Sequence, residues 1–183
     1  MTRPNPAIPT TELFSHDNLL RMDETVKEVF GTMLGMEVAA HPRHPLLDEA
    51  PGPHGEHTAM IGFVGAISGH CEINLSRKAS AAIASAMLGG IDIDAESDAI
   101  CDAIGELCNM LAGGWKDRLP NLSADCHLSI PIRSCDLHPH EVGGPPVQTV
   151  DLNISRRSYT FGDHHMLLLT LAHVGTASSG RRP

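Results

Sequence analysis

The sequence predicts a two-layer α+β fold, in which helices pack against one face of a single, largely antiparallel sheet. Two observations support this prediction. Three segments carry apolar residues at helical spacing, and strand-like segments lie both between the first two of them and after the third. The chain has 183 residues, of which 42% are hydrophobic, so it can form one domain with a core of its own.

Composition divides the chain into three parts. Residues 1–11 contain three prolines and are predicted to be a disordered lead. Residues 12–175 are predicted to form the single domain, with a long loop rich in proline and histidine at 41–57. Residues 176–183 are small, polar and basic, so we expect a flexible tail.

Apolar residues at intervals of three and four predict three long helices, over residues 16–35, 77–88 and 98–119. Gly35 suits the C-terminal end of the first helix, and Ser76 can cap the N-terminus of the second. Pro120 is predicted to stop the third helix.

Strand-like segments account for most of the remaining domain, at residues 37–40, 58–67, 70–75, 124–135, 147–154 and 165–174. Ser68-Gly69 is predicted to be the tight turn of a hairpin between the second and third of these strands. A turn at Gly162-Asp163 is predicted to precede the last strand.

Charge and cysteine content exclude several classes of protein. The formal net charge of -9 argues against nucleic acid or an anionic membrane as the main partner. The sequence has neither a signal peptide nor a membrane span of about 18 apolar residues, so we expect a cytoplasmic protein without membrane insertion. The five cysteines form no Cys-x-x-Cys pair, and we expect them to be buried and reduced.

The third predicted helix carries a polar stripe formed by Asp102, Glu106, Asn109 and Gly113. At about 100° per residue, these four positions fall within an arc of about 40 to 60°. The opposite face is broad and apolar, and it contains Ile100, Ala103, Ile104, Leu107, Leu111, Trp115 and Leu119. A helix that docks through its apolar face would present Glu106 and Asn109 together to the outside.

These residues resemble the active helix of the CheC/CheX/FliY phosphatases of bacterial chemotaxis, whose pattern is Asp or Ser, x3, Glu, x2, Asn, x3, Gly. Asp102, Glu106, Asn109 and Gly113 match that pattern position by position. The flanking sequences TMLGMEV, IGFVGAISGHCEINLS and IASAMLGG are similar to the segments that precede the helix in CheX proteins. Because the chain has one such stripe, it resembles the CheX branch with a single site.

The resemblance implies hydrolysis of the aspartyl phosphate on a CheY-like response regulator. Glu106 would dock on the regulator, Asn109 would orient the attacking water, and Asp102 and Gly113 would support them. Lys116, which borders the stripe, is a candidate contact to the partner. The regulator would supply Mg²⁺, so the chain would need no cofactor or metal of its own. The resemblance also implies a homodimer.

Three alternatives stay open from the residues alone. Without the resemblance, Glu106 and Asn109 fit an ordinary solvated helix face. The same helix could belong to a module that binds receiver domains without catalysing a reaction. A metal-binding protein is the third alternative, because histidines form close pairs at His41 and His44, His54 and His57, His138 and His140, and His164 and His165. Their Pro/Gly-rich surroundings favour solvated loops instead.

Overall fold

One antiparallel sheet organises the computed structural model, which describes residues 9–41, 56–94, 97–119, 125–133, 152–162 and 165–174. Its strands are β1 (Val38–His41), β2 (His57–Gly65), β3 (Gly69–Leu75), β4 (Cys126–Leu128), β5 (Ile132–Arg133), β6 (Leu152–Phe161) and β7 (His165–Val174). They lie in the order β1-β6-β7-β3-β2-β4, and β5 pairs with β2 beyond β4 along the same strand.

Within the described residues, four α-helices accompany the sheet: α1 (Thr10–Leu13), α2 (His16–Val29), α3 (Arg77–Met87) and α4 (Asp98–Arg118). A π-helical turn, Phe30–Leu34, extends α2, and Gly35 ends it with the positive φ of 64° that glycine adopts at low energy. Ser76 caps α3, as predicted, since its hydroxyl accepts a hydrogen bond from the Ala79 amide. The three predicted long helices are confirmed.

The core lies between the helices and one face of the sheet. Alternate residues of the central strands are buried, namely Ala59, Ile61 and Phe63 on β2 and Cys71, Ile73 and Leu75 on β3. The apolar faces of α2, α3 and α4 join the same buried cluster. This arrangement confirms the two-layer α+β prediction.

A buried ion pair ties α2 to β6. Arg157 Nε donates to Asp23 Oδ1 at 2.6 Å, and a second guanidinium nitrogen contacts Asp23 Oδ2. The Tyr159 hydroxyl donates to Asp23 Oδ1 at 2.8 Å. Burial and the neighbouring Asp23 carboxylate raise the pKa of the Tyr159 hydroxyl, so Tyr159 stays neutral and acts as a donor.

The strand predictions are right in place but wrong in extent after α4. The predicted strand 124–135 is two short pieces, β4 and β5, which both pair with β2. The predicted strand 147–154 begins within the described residues at Leu152 and continues to Phe161. The polar run Ser155 to Ser158 hid this continuation, because it interrupts the apolar pattern that marks a strand.

The N-terminal boundary also differs from the prediction. Thr10 and Thr11 lie in α1 and not in a disordered lead. Thr10 Oγ1 shares a hydrogen bond of 2.9 Å with Nδ1 of the buried His173, which fixes α1 to the end of β7. Residues 1–8, most of the 41–57 loop and the predicted tail at 176–183 lie outside the described residues. Across the described ranges, no helix combines the length and apolarity that a bilayer crossing requires.

Candidate active site

The polar stripe lies on the outer side of α4, because the opposite side of this helix is anchored in the core. Ser97 begins the helix by accepting a hydrogen bond from the Ala99 amide. All of the predicted apolar face is buried: Ile100, Ala103, Ile104, Leu107, Leu111, Trp115 and Leu119. Asp102 and Glu106 are therefore exposed, and Asn109 and Gly113 are partly exposed beside them.

Trp115 and Gly114 lock the rotation of α4 against its neighbours. The Trp115 indole donates to the Asn18 carbonyl of α2 at 2.8 Å, and its ring packs edge-on against Phe63 of β2. A Cβ on Gly114 would lie 2.8 Å from Thr25 Cγ2, so only glycine lets α2 and α4 approach this closely. Trp115 has the packing role that its position opposite the stripe predicts.

The side chains of Glu106 and Asn109 are available to a visiting molecule. Neither side chain has a hydrogen-bond or ion-pair partner in the part of the chain that the structure describes. A carboxylate can accept several hydrogen bonds, and a carboxamide can both donate and accept. Two unpaired polar groups of complementary type thus face outward from one turn of a fixed helix.

Gly113 has space around it that the fold does not use. A Cβ at this position would lie 3.7 Å from Leu128 Cδ1, an ordinary van der Waals distance. Alanine would also favour the helix by about 1 kcal/mol relative to glycine. The folded chain therefore does not require glycine here, in contrast to Gly114.

Asp102 differs from Glu106 because it already has a partner. The Arg133 guanidinium of β5 forms an ion pair with its carboxylate. The stem of Arg133 lies across α4 at Gly105, where an added Cβ would be 3.0 Å from Arg133 Cδ. No pattern in the sequence points to Arg133, because a contact between α4 and β5 depends on tertiary structure.

Lys116, the candidate partner contact, lies near the C-terminal end of the stripe and is largely covered. Its side chain is 17% exposed, and its Nζ lies 2.8 Å from Asp117 Oδ1. The Asp117 carboxylate partly neutralises the Lys116 ammonium group. Lys116 would therefore attract an acidic partner less strongly than an unpaired lysine would.

Clefts border the N-terminal half of the stripe on both sides. One, of about 420 Å³, is lined by Asp102, Gly105, Glu106, Ile130, Pro131 and Arg133. The other, of about 300 Å³, lies between α3 and α4 and is lined by Met87, Leu88, Ala99, Asp102, Ala103 and Glu106. Asp102 and Glu106 therefore stand on a ridge whose two flanks carry exposed apolar side chains.

The described residues contain no cluster of three or more His, Cys, Asp or Glu side chains that could hold a metal ion. His41 bonds to Thr160 Oγ1 at 2.8 Å, and His165 packs against Phe161. The remaining predicted histidine pairs lie partly outside the described ranges.

The prediction that all five cysteines are reduced is wrong, because Cys101 takes part in a disulfide bond. Cys71, Cys108 and Cys126 are buried free thiols, whereas Cys101 on α4 is disulfide-bonded. The fifth cysteine, Cys135, lies outside the described residues. A disulfide between distant positions cannot be read from spacing alone.

One family model matches part of the chain. The model of the family "Chemotaxis phosphatase CheX" matches residues 57–134, a range that includes the whole stripe and Arg133. No curated protein sequence matches the chain significantly.

Solved structures similar to this chain include two named as CheX. The Vibrio vulnificus protein is 19% identical with a TM-score of 0.64, over 86% of this chain and 96% of that one. The Desulfovibrio desulfuricans protein is 17% identical with a TM-score of 0.65, over 86% and 99%.

A third similar structure is that of a CheX-CheY-BeF3-Mg²⁺ complex from Borrelia burgdorferi. It is 13% identical, with a TM-score of 0.61, over 86% of this chain and 97% of that one. At such identities the structural likeness shows the fold, and the family model adds the match around α4. The shared fold and the family model over residues 57–134 together support a resemblance to CheX-like members of the CheC/CheX/FliY family.

Proposed function

We propose that this chain hydrolyses the aspartyl phosphate of a CheY-like receiver domain. The observation that carries the proposal is the pair Glu106 and Asn109, which have no side-chain partner among the described residues and lie on the outer side of a helix fixed by its buried side. The match of residues 57–134 to a family model named for a chemotaxis phosphatase supports the same reaction. The relative solved as a complex with CheY supports a receiver domain as the partner.

In the proposed reaction, Asn109 orients the attacking water. The carboxamide accepts a hydrogen bond from the water and donates one to its surroundings, which holds the water oxygen in line with phosphorus. The water forms a new P–O bond while the bond between phosphorus and the aspartyl oxygen breaks. The products are inorganic phosphate and the free aspartate of the receiver domain.

Glu106 has a separate task, which is to dock the two proteins in register. Its ionised carboxylate would pair with the lysine at the receiver's phosphorylation site through a charge-assisted hydrogen bond. The Mg²⁺ that neutralises the phosphoryl group belongs to the receiver, as the composition of the Borrelia complex suggests. This chain then needs neither a metal nor a nucleophile.

The remaining stripe residues complete the surface. The fold itself would accept a side chain at Gly113, because the space around this residue is open. In the proposed complex, the absence of a side chain there lets the partner's backbone approach α4 closely. Lys116 makes a peripheral contact near its ion pair with Asp117. We further propose, on the family resemblance, that the chain is a homodimer and acts in the cytoplasm; sedimentation velocity tests the assembly.

The test is the decay of phosphate on a labelled receiver domain, with and without this chain. We expect the wild-type chain to accelerate decay and Asn109→Ala to abolish the acceleration, with the far-ultraviolet circular dichroism spectrum unchanged. A tenfold loss corresponds to about 1.4 kcal/mol of transition-state stabilisation, so even partial effects are measurable.

Glu106→Ala separates docking from chemistry. We expect it to weaken binding to a receiver activated with beryllofluoride, whereas Asn109→Ala binds normally. Measurable binding by the wild-type chain with no change in phosphate decay would replace the phosphatase with a non-catalytic receiver-binding module. Full activity of Asn109→Ala would exclude the proposed role of the amide.

A further inference from the structure

Two carboxylates on α4 compete for the same role in the proposed docking. Asp102 and Glu106 occupy equivalent places on successive turns, and both are exposed. Four residues of helix separate them by about 6 Å along the axis. A lysine that approaches the ridge between the two clefts could pair with either side chain.

Arg133 distinguishes the two carboxylates, because it pairs with only one of them. Its guanidinium pairs with Asp102, and its stem is held across Gly105. The Asp102 side chain is 77% exposed and Arg133 is 29% exposed, so the pair lies at the surface where a partner would meet it. Glu106 keeps a free carboxylate one turn further along, with no ion pair to another described residue.

We propose that Arg133 is a positioning residue that sets the docking register of the receiver domain. By occupying Asp102, it leaves Glu106 as the carboxylate to which the receiver's lysine binds. This inference rests on the proposed function, because it assigns the register of that same site.

The register matters because Asn109 is fixed relative to Glu106. A receiver whose lysine paired with Asp102 would sit about 6 Å nearer the start of α4. The Asn109 amide would then miss the attacking water, since a hydrogen bond spans only about 3 Å. Such a complex would form without reacting, and it would occupy the site.

Arg133→Met tests the proposal, because it keeps an aliphatic stem and removes the charge. Unreactive binding traps both enzyme and substrate, so it lowers kcat and KM by the same factor and leaves kcat/KM unchanged. If the two carboxylates compete equally, half of the complexes are out of register and both constants fall about twofold. Steady-state phosphate release from a phosphorylated receiver measures both.

The double variant Asp102→Asn/Arg133→Met is the decisive arm. It removes the competing carboxylate, so we expect kcat and KM to return to the wild-type values. If Arg133 served only to hold β5 on α4, its loss would lower kcat/KM and Asp102→Asn would not restore it. Arg118→Met is the matched control, because Arg118 is 30% exposed, like Arg133 at 29%, and pairs with a carboxylate outside the stripe, that of Glu28. We expect that variant to keep both constants.

A binding measurement separates this inference from the proposed function. With a beryllofluoride-activated receiver, we expect Glu106→Ala to lose binding while Arg133 is present. Glu106→Ala/Arg133→Met should regain binding, because Asp102 is then free to take the lysine. Loss of binding in both variants would overturn the register role. A wild-type chain that binds but does not accelerate phosphate decay would instead overturn the phosphatase proposal alone.

Discussion

Two aspartate–arginine pairs in this fold have the same chemistry and different surroundings. The Asp23–Arg157 pair lies between α2 and β6, with its side chains 12% and 17% exposed. The Asp102–Arg133 pair lies on the outer surface of α4, and its aspartate is 77% exposed. Burial makes the first pair part of the structure, whereas exposure leaves the second free to influence what the stripe binds.

Removing the aspartate from each pair should have very different effects on stability. Asp23→Ala leaves the Arg157 guanidinium buried without a counter-charge, and we expect the free energy of unfolding to fall by about 3–5 kcal/mol. Asp102→Asn should lower it by less than about 1 kcal/mol, because solvent replaces the lost partner. Urea denaturation of both variants at neutral pH measures the difference.

Tyr159→Phe is a milder change at the same site, for use if Asp23→Ala does not fold. It removes one hydrogen bond to Asp23 and should lower the free energy of unfolding by about 1 kcal/mol. Equal losses for Asp23→Ala and Asp102→Asn would show that burial does not separate the two pairs.

Two adjacent glycines on α4, Gly113 and Gly114, lie on its exposed and its buried side, respectively. Gly114→Ala places a methyl group against Thr25, whose hydroxyl is held by the Arg21 carbonyl at 2.7 Å. An overpacking penalty of about 1–3 kcal/mol, less a helix-propensity gain of about 1 kcal/mol, lowers stability by up to about 2 kcal/mol.

Gly113→Ala is the matched variant on the exposed side. It should raise the free energy of unfolding by up to about 1 kcal/mol and lower phosphatase activity several-fold, because only the partner needs the space. Thermal unfolding and phosphate decay, measured on both alanine variants, give the comparison. A destabilised Gly113→Ala with full activity would reverse the assignment.

Protonation of the buried His173 at low pH should lower the free energy of unfolding only slightly. Burial lowers the pKa of His173, so the folded chain binds this proton less readily than the unfolded chain. The contribution of His173 to stability is complete above its unfolded pKa of about 6.5 and decreases as pH falls through that value.

Comparison with His173→Gln isolates this contribution from those of the other histidines. Urea denaturation between pH 7.5 and 5.5 should show a steeper loss of stability for wild type than for His173→Gln. If the free energy of unfolding of the two proteins fell equally with pH, protonation of His173 would not contribute to the pH dependence of stability.

The parts of this fold that the sequence predicts well are those with local causes. Helix α4 and its buried face follow from the 3.6-residue period, and the N-cap at Ser76 follows from a side chain that bonds three residues ahead. The same period predicts that Glu106 and Asn109 face outward together, as they do.

The parts that the sequence does not predict depend on contacts between distant residues. Arg157 is polar and interrupts the apolar pattern in the middle of β6, yet it is partly buried because Asp23 of α2 neutralises it. Arg133 acquires its position beside Asp102 only when β5 pairs with β2. The disulfide at Cys101 has the same origin, since cysteine spacing does not specify the pairing.

Trp115, which anchors α4 in the core, can serve as a spectroscopic probe of that helix. It is the one tryptophan in the sequence, and its ring is buried against Phe63 with its indole hydrogen-bonded to α2. Its fluorescence emission therefore arises from a dry site on α4 and shifts to longer wavelength when that site becomes wet. A label-free optical signal thus reports whether α4 is seated, at the same time as phosphate release reports what its opposite face does.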